Sequence, residues 1–174
     1  MERLLTLDAR DYPPDMPELR RNSVRGIIFV GGKLLLIESG FGEVKLPGGG
    51  VEAGESERDA LIREVMEETG YRVIPETIRP FGEILEKRLS DREPMIWRHT
   101  SHLYFCDVHP QHGACRFTEN ERKHGFRLVQ YTLEEALERN RQMLAREGRH
   151  PWNQREYETL RLLRVRVNQM ADPK

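Results

Sequence analysis

The sequence predicts an α+β fold, a mixed β-sheet flanked by helices within one domain. Three observations carry that expectation. Short β-branched or apolar runs recur along the chain. One pair of them is joined by Gly31-Gly32, a favoured two-residue hairpin turn. Three further stretches combine helix-capping residues with apolar residues at helical spacing.

Taken in order, residues 1–22 hold Pro13, Pro14 and Pro17 among acids and read as an irregular N-terminal arm. Val24 to Val30 and Lys33 to Glu38 read as antiparallel strands around the glycine turn. Ser39 to Glu43 is a glycine-bearing loop. Val44 to Leu46 leads into Pro47-Gly48-Gly49-Gly50, where three glycines allow a tight turn and close approach of the backbone to a ligand. Ser56 is an N-cap with Asp59 at the capping-box position, and the helix it opens buries Ala60, Leu61 and Val65 before Gly70 ends it. Tyr71 to Ile74, Ile78 to Lys87, Met95 to Val108 and Phe126 to Tyr131 read as strands, with residues 88–94 as a connecting turn. Thr132-Leu133-Glu134-Glu135 is a capping box opening a helix to about Arg146. A C-terminal helix is expected over residues 150–170, with Leu160, Leu163 and Val167 on one face. No linker divides the chain, so residues 1–174 are expected to form a single domain.

Composition narrows the function. With 28 basic and 29 acidic side chains, the formal charge of -1 offers no global attraction to nucleic acid. The longest apolar runs suit single strands, so no membrane partner is expected. Met1 to Arg10 lacks the apolar core of a secretory signal. Two cysteines do not make a disulfide framework, and a cytoplasmic location is the expectation.

The chemistry concentrates between Gly49 and Tyr71. Glu64, Glu67 and Glu68 fall at offsets 0, 3 and 4, on one face of the predicted helix. Like charges at that spacing repel, and desolvation raises the cost unless a cation offsets it. Hard carboxylate oxygens suit Mg²⁺ or Mn²⁺. Three glutamates alone could equally form a solvated acidic face. Their fixed spacing to Glu55, Arg63 and the glycines argues for a site.

That segment, Gly49, five residues, Glu55, seven residues, then Arg63-Glu64-Val65-Met66-Glu67-Glu68-Thr69-Gly70-Tyr71, resembles the Nudix box, G-x5-E-x7-R-E-U-x-E-E-x-G-U with U a bulky aliphatic. Every position but the last matches; Tyr71 stands where an aliphatic is usual, a change in packing and not in chemistry. Leu46-Pro47-Gly48-Gly49 also looks like the family's approach to the box. The resemblance implies an αβα sandwich with the box as loop–helix–loop. It implies hydrolysis of a nucleoside diphosphate linked to a further group, a nucleoside triphosphate or a nucleotide sugar. It assigns Glu64, Glu67, Glu68 and the Gly49 carbonyl to the metal, with Arg63 and Glu55 as its supporting pair. Water would attack phosphorus, with Glu64 as first candidate base and Glu121 second, Glu119 lying beside it. A homodimer is admitted by analogy only.

Two other readings share this fold: a nucleotide-sensing module without turnover, and an isopentenyl-diphosphate isomerase-like enzyme. The intact carboxylate set argues against both. Substrate contacts are expected from Gly48, Gly49, Arg25 and Lys45, with Arg88 and Arg98 as further cations, and with Phe41 or Trp97 stacking on a base. Cys106, His109, His112 and Cys115 recur at a spacing of three, but without the two separated pairs of a zinc motif; Cys106 ends a strand-like run and reads as a small apolar packing residue, and the rest read as a histidine-bearing surface loop. Trp152 reads as a packing anchor. The proline that marks many ADP-ribose hydrolases is replaced by Glu86. The tyrosine of dinucleoside-polyphosphate hydrolases has no counterpart around Lys87 to Leu89, and the NADH and coenzyme A signatures are missing too. The substrate's second group is therefore open at this level.

Overall fold

The computed structural model describes residues 1–147 and 152–171; the start of the expected C-terminal helix at residues 150–151 lies outside them. Its strands are β1 (Arg3–Asp8), β2 (Glu18–Ile27), β3 (Phe29–Val30), β4 (Lys33–Glu38), β5 (Val44–Lys45), β6 (Tyr71–Val73), β7 (Arg79–Leu89), β8 (Ile96–Phe105), β9 (Val108–His112) and β10 (Arg127–Tyr131). The helices are α1 (Glu57–Thr69), α2 (Glu119–Lys123), α3 (Leu133–Leu144) and α4 (Asn153–Ala171). One sheet runs β1-β7-β8-β2, with both β1-β7 and β8-β2 parallel and β7-β8 antiparallel. A second runs β10-β4-β3 with β5 against β4, and β6 pairs with β9.

Alternation along β2 sorts the layers. Val24 of β2, with Ile28 just past its end, packs with Ala60, Leu61 and Val65 of α1 in one core, while Ile27 of β2, Ile84 and Leu103 pack with Ala136, Leu137, Leu160 and Leu163 of α3 and α4 in another. Helices therefore cover the sheets on both sides, an αβα sandwich of class α+β. Among the described residues no helix is long and apolar enough to cross a membrane.

The local chemistry follows the sequence closely in the middle of the chain. Gly31 and Gly32 take φ of 58° and 78°, as a tight hairpin demands. Ser56 caps α1 by accepting from the Asp59 N–H, and Gly70 ends it at φ 71°. Tyr71 is buried against the α1 core and stacks on His112, its ring filling the place an aliphatic would take.

Two expectations are corrected. Residues 1–22 are not an irregular arm: β1 lies parallel to β7, and β2 begins at Glu18. The histidine-bearing loop is instead partly strand β9; Cys106 packs in the α1 core, as its place at the end of a strand-like run predicts, with its thiol pushed up to about 12 by burial and by Asp107. Glu119 and Glu121 lie on the short helix α2.

Buried Asn140 of α3 ties the second sheet to this frame. Its side chain accepts from the Val44 N–H at 2.9 Å and donates to the Val44 carbonyl at 2.8 Å. Asn140→Ala would leave both backbone groups buried without partners. The expected loss is about 1–3 kcal/mol, read as a lower urea-unfolding midpoint. An unchanged midpoint would show that this link carries no stability.

Candidate active site

Three backbone hydrogen bonds dock the glycine loop on the free edge of β2. The Val24 N–H donates to the Gly49 carbonyl at 2.9 Å, the Gly26 N–H to Pro47 at 2.8 Å, and the Val51 N–H to Asn22 at 3.1 Å. Gly48 adopts φ 139°, and a Cβ there would strike the Val24 carbonyl. Only glycine fits this close approach. One lone pair of the Gly49 carbonyl is thus engaged by β2.

Helix α1 turns its carboxylates onto this loop. Glu68 is 2% exposed; it accepts from the Gly48 N–H at 2.7 Å and from Lys45 at 3.0 Å. The Glu64 carboxylate lies over Gly49 so closely that a Cβ added there would sit 2.5 Å from it. Burial raises the Glu64 pKa, with Glu68 and Glu67 adding to the effect and Arg63 opposing it. Arg63 grips Glu55 with two nitrogens at 2.8 Å, Glu64 with a third at 2.8 Å, and reaches the Gly50 carbonyl at 3.1 Å. That pairing holds the Glu55 carboxyl down at about 2. Glu67 is the outermost of the three, its side chain 44% exposed and 3.5 Å from Arg63. Among the described residues no three carboxylate, imidazole or thiolate groups close on a common point.

The other expected residues separate. Lys45 lies over the Phe126 ring at 4.6 Å besides pairing with Glu68. Arg25 is buried and donates to the Leu46 and Gly48 carbonyls. Phe41 borders a different hollow with Glu38, Gly125, Arg127 and Arg139. The Glu121 carboxylate caps α2 through Thr118, and Arg98 lies 3.6 Å from Glu18.

Trp97 lines a cleft of about 390 Å³ that the sequence did not announce. Arg21, Arg25, Arg88, Arg92 and Arg155 share it with His99 and Trp152. Strand register explains the gathering: Leu19, Arg21 and Ser23 of β2 stand beside Trp97, His99 and Ser101 of β8, which face Arg88, Glu86 and Ile84 of β7. Arg155 of α4 closes the inner end, bound to Glu86, Glu156 and His99. Burial and the surrounding guanidinium groups push the His99 pKa well down, so its ring is neutral. The period-2 pattern of Leu19, Arg21, Ser23 and Arg25 was the available signal, hidden by reading residues 1–22 as an arm.

The site thus joins a carboxylate-bearing helix to a glycine turn docked tightly on β2. A model of the NUDIX domain matches residues 19–151, most of the chain. The chain belongs to the Nudix family, and pyrophosphate hydrolysis is its general reaction. No curated protein sequence matches it significantly. A solved structure described as an ADP compounds hydrolase matches with a TM-score of 0.56 at 20% identity, over 86% of this chain and 74% of that one. A NUDIX hydrolase from Nitrosomonas europaea gives 0.53 at 20% identity, covering 81% and 90%. The ORF135 protein of E. coli gives 0.53 at 25% identity, covering 92% and 99%.

Proposed function

We propose that this chain hydrolyses a pyrophosphate bond in a nucleoside diphosphate linked to a further group, using Mg²⁺ or Mn²⁺ held by Glu64, Glu67 and Glu68 with help from the Gly49 carbonyl. The observation that carries this reading is the contact of two helix carboxylates with the glycine turn: Glu64 over Gly49, and Glu68 on the Gly48 N–H. Those donors are all oxygen, the chemistry that Mg²⁺ and Mn²⁺ prefer, and the space over Gly49 that a Cβ would fill is already given to a carboxylate. Bound there, a divalent ion would neutralise phosphate charge and lower the pKa of the attacking water.

The chain's own residues do the rest. Arg63 fixes Glu64 through one nitrogen while its other two hold Glu55, so the helix cannot slide along the loop. Glu64, with its pKa raised by burial, is the better candidate to accept the water proton. Glu121 is occupied as the cap of α2. Lys45 neutralises Glu68 from the side of β5. We place the protein in the cytoplasm as a single domain; both cysteines are free thiols, which suits a reducing compartment.

Incubating the protein with pooled nucleoside triphosphates and nucleotide sugars tests the reading. Phosphate is followed after adding pyrophosphatase or phosphatase, with and without Mg²⁺. Release that needs the metal and stops with a chelator is expected. Binding without release from any substrate would leave a sensing module instead.

A further inference from the structure

Five arginines line the cleft beside the box together with Asp91 and Glu93, and not all of the five are paired with a carboxylate. Arg155 is neutralised by Glu86 and Glu156, and Arg88 by Glu86 and Asp91. Arg25 is different. It is 8% exposed, no carboxylate among the described residues forms an ion pair with it, and its buried Nε has no hydrogen-bond partner. Glu156, whose charge it feels, is held by two nitrogens of Arg155. A buried guanidinium with an unused donor is costly unless an anion completes it. Arg21 likewise forms no ion pair among the described residues. Its guanidinium lies over Gly50, where an added Cβ would approach it to 3.4 Å.

Arg21 links this cleft to the box. It lines the arginine cleft and also a second hollow bordered by Asn22, Gly50, Glu52 and Glu64. A ligand that touched both the Glu64 carboxylate and the cleft would have to pass Arg21. The room of about 390 Å³ falls within the range of small-molecule sites, roughly 300–1,000 Å³.

We propose that the arginine cleft binds a phosphate group of the substrate beyond the two joined by the scissile bond, so that the preferred substrate is a nucleoside triphosphate or a more highly phosphorylated compound, not a nucleotide sugar. This rests on the reading of the box as the site of pyrophosphate cleavage. Guanidinium groups match phosphate oxygens with paired N–H donors, whereas a neutral sugar would leave Arg21 and Arg25 unmatched. Arg92, exposed between Asp91 and Glu93 in the same lining, forms no ion pair among the described residues. Trp97, with Arg88 over its ring at 5.8 Å, stands on the same sheet face as Arg21, one strand away, and offers the surface along which the rest of the ligand would lie.

Two measurements test this. The first is kcat/KM for pairs that share a base, UTP with UDP-glucose and ATP with ADP-glucose, in wild type and Arg21→Ala. The triphosphate is expected to lead at least tenfold in wild type, and that lead to shrink at least tenfold in the variant, mainly through KM. The second is calorimetric binding of inorganic tripolyphosphate in metal-free buffer. It should weaken at least tenfold in Arg21→Ala and persist in Glu64→Gln. Arg21 is exposed, so its variant folds even if the buried Arg25→Ala does not.

Preference for the sugar nucleotides, or equal losses on both substrates in Arg21→Ala, would overturn the proposal. So would tripolyphosphate binding that is absent or indifferent to Arg21. Arginine-dependent tripolyphosphate binding with no turnover of any nucleotide would instead sink the hydrolase reading and keep the anion site.

Discussion

Glu64→Gln is expected to lower turnover of the best substrate by about 10²- to 10⁴-fold while leaving the urea-unfolding midpoint near that of wild type. The amide keeps the size of the side chain and one oxygen to accept from Arg63, so the contact over Gly49 survives. What disappears is the negative charge and the capacity to take a proton. Glu68→Gln should be as inactive but less clean. Glu68 is buried and neutralises Lys45, and removing its charge leaves that ammonium without a counter-ion beside the Gly48 N–H. A stability loss of about 1–3 kcal/mol should accompany the loss of activity. Rates within a few-fold of wild type in Glu64→Gln would remove this carboxylate from the chemistry. An equal stability loss in both variants would show that Glu64, too, is chiefly structural.

The contrast between these two glutamates shows what the sequence could express. Their spacing to Gly49, Glu55 and Arg63 is local: it lies within one loop and one helix, whose caps at Ser56 and Gly70 are also local signals. That part of the candidate site is legible in the amino-acid sequence alone. The arginine cleft is not, because Arg21, Arg88, His99 and Arg155 come from β2, β7, β8 and α4 and meet only through strand register and the packing of α4. No spacing rule connects them. β1 escapes for a related reason. Leu4, Leu5 and Leu7 pack on the core only because Arg3–Asp8 runs parallel to β7, a pairing between distant parts of the chain. β9 is mostly exposed and contains Pro110, which suits an edge strand but gives no alternating pattern to read. Its partnership with β6 brings His112 against Tyr71, the one box position that departs from the family pattern.

Adjacent glycines make the second test sharper still. Gly49→Ala and Gly48→Ala are the same chemical change one residue apart, and they should fail in opposite ways. At Gly49 the new Cβ would fall 2.5 Å from the Glu64 carboxylate. This is the tip of a side chain that can swing aside, and the Gly49 backbone is outside the left-handed region. The fold should survive with a melting temperature close to wild type. Turnover should drop about 100-fold, because a displacement of about 1 Å in a reacting group is worth that much. At Gly48 the Cβ would meet the Val24 carbonyl, part of the β2 backbone, and φ 139° excludes alanine without strain. The docking of the loop on β2 must then open, at a cost of more than about 2 kcal/mol, and thermal unfolding should report it directly. If Gly49→Ala is as active as wild type, the position of the Glu64 carboxylate does not matter to the reaction. If it unfolds like Gly48→Ala, the glycine is there for the chain and not for the site. Stability retained and rate lost is the one combination that makes Gly49 part of the active site.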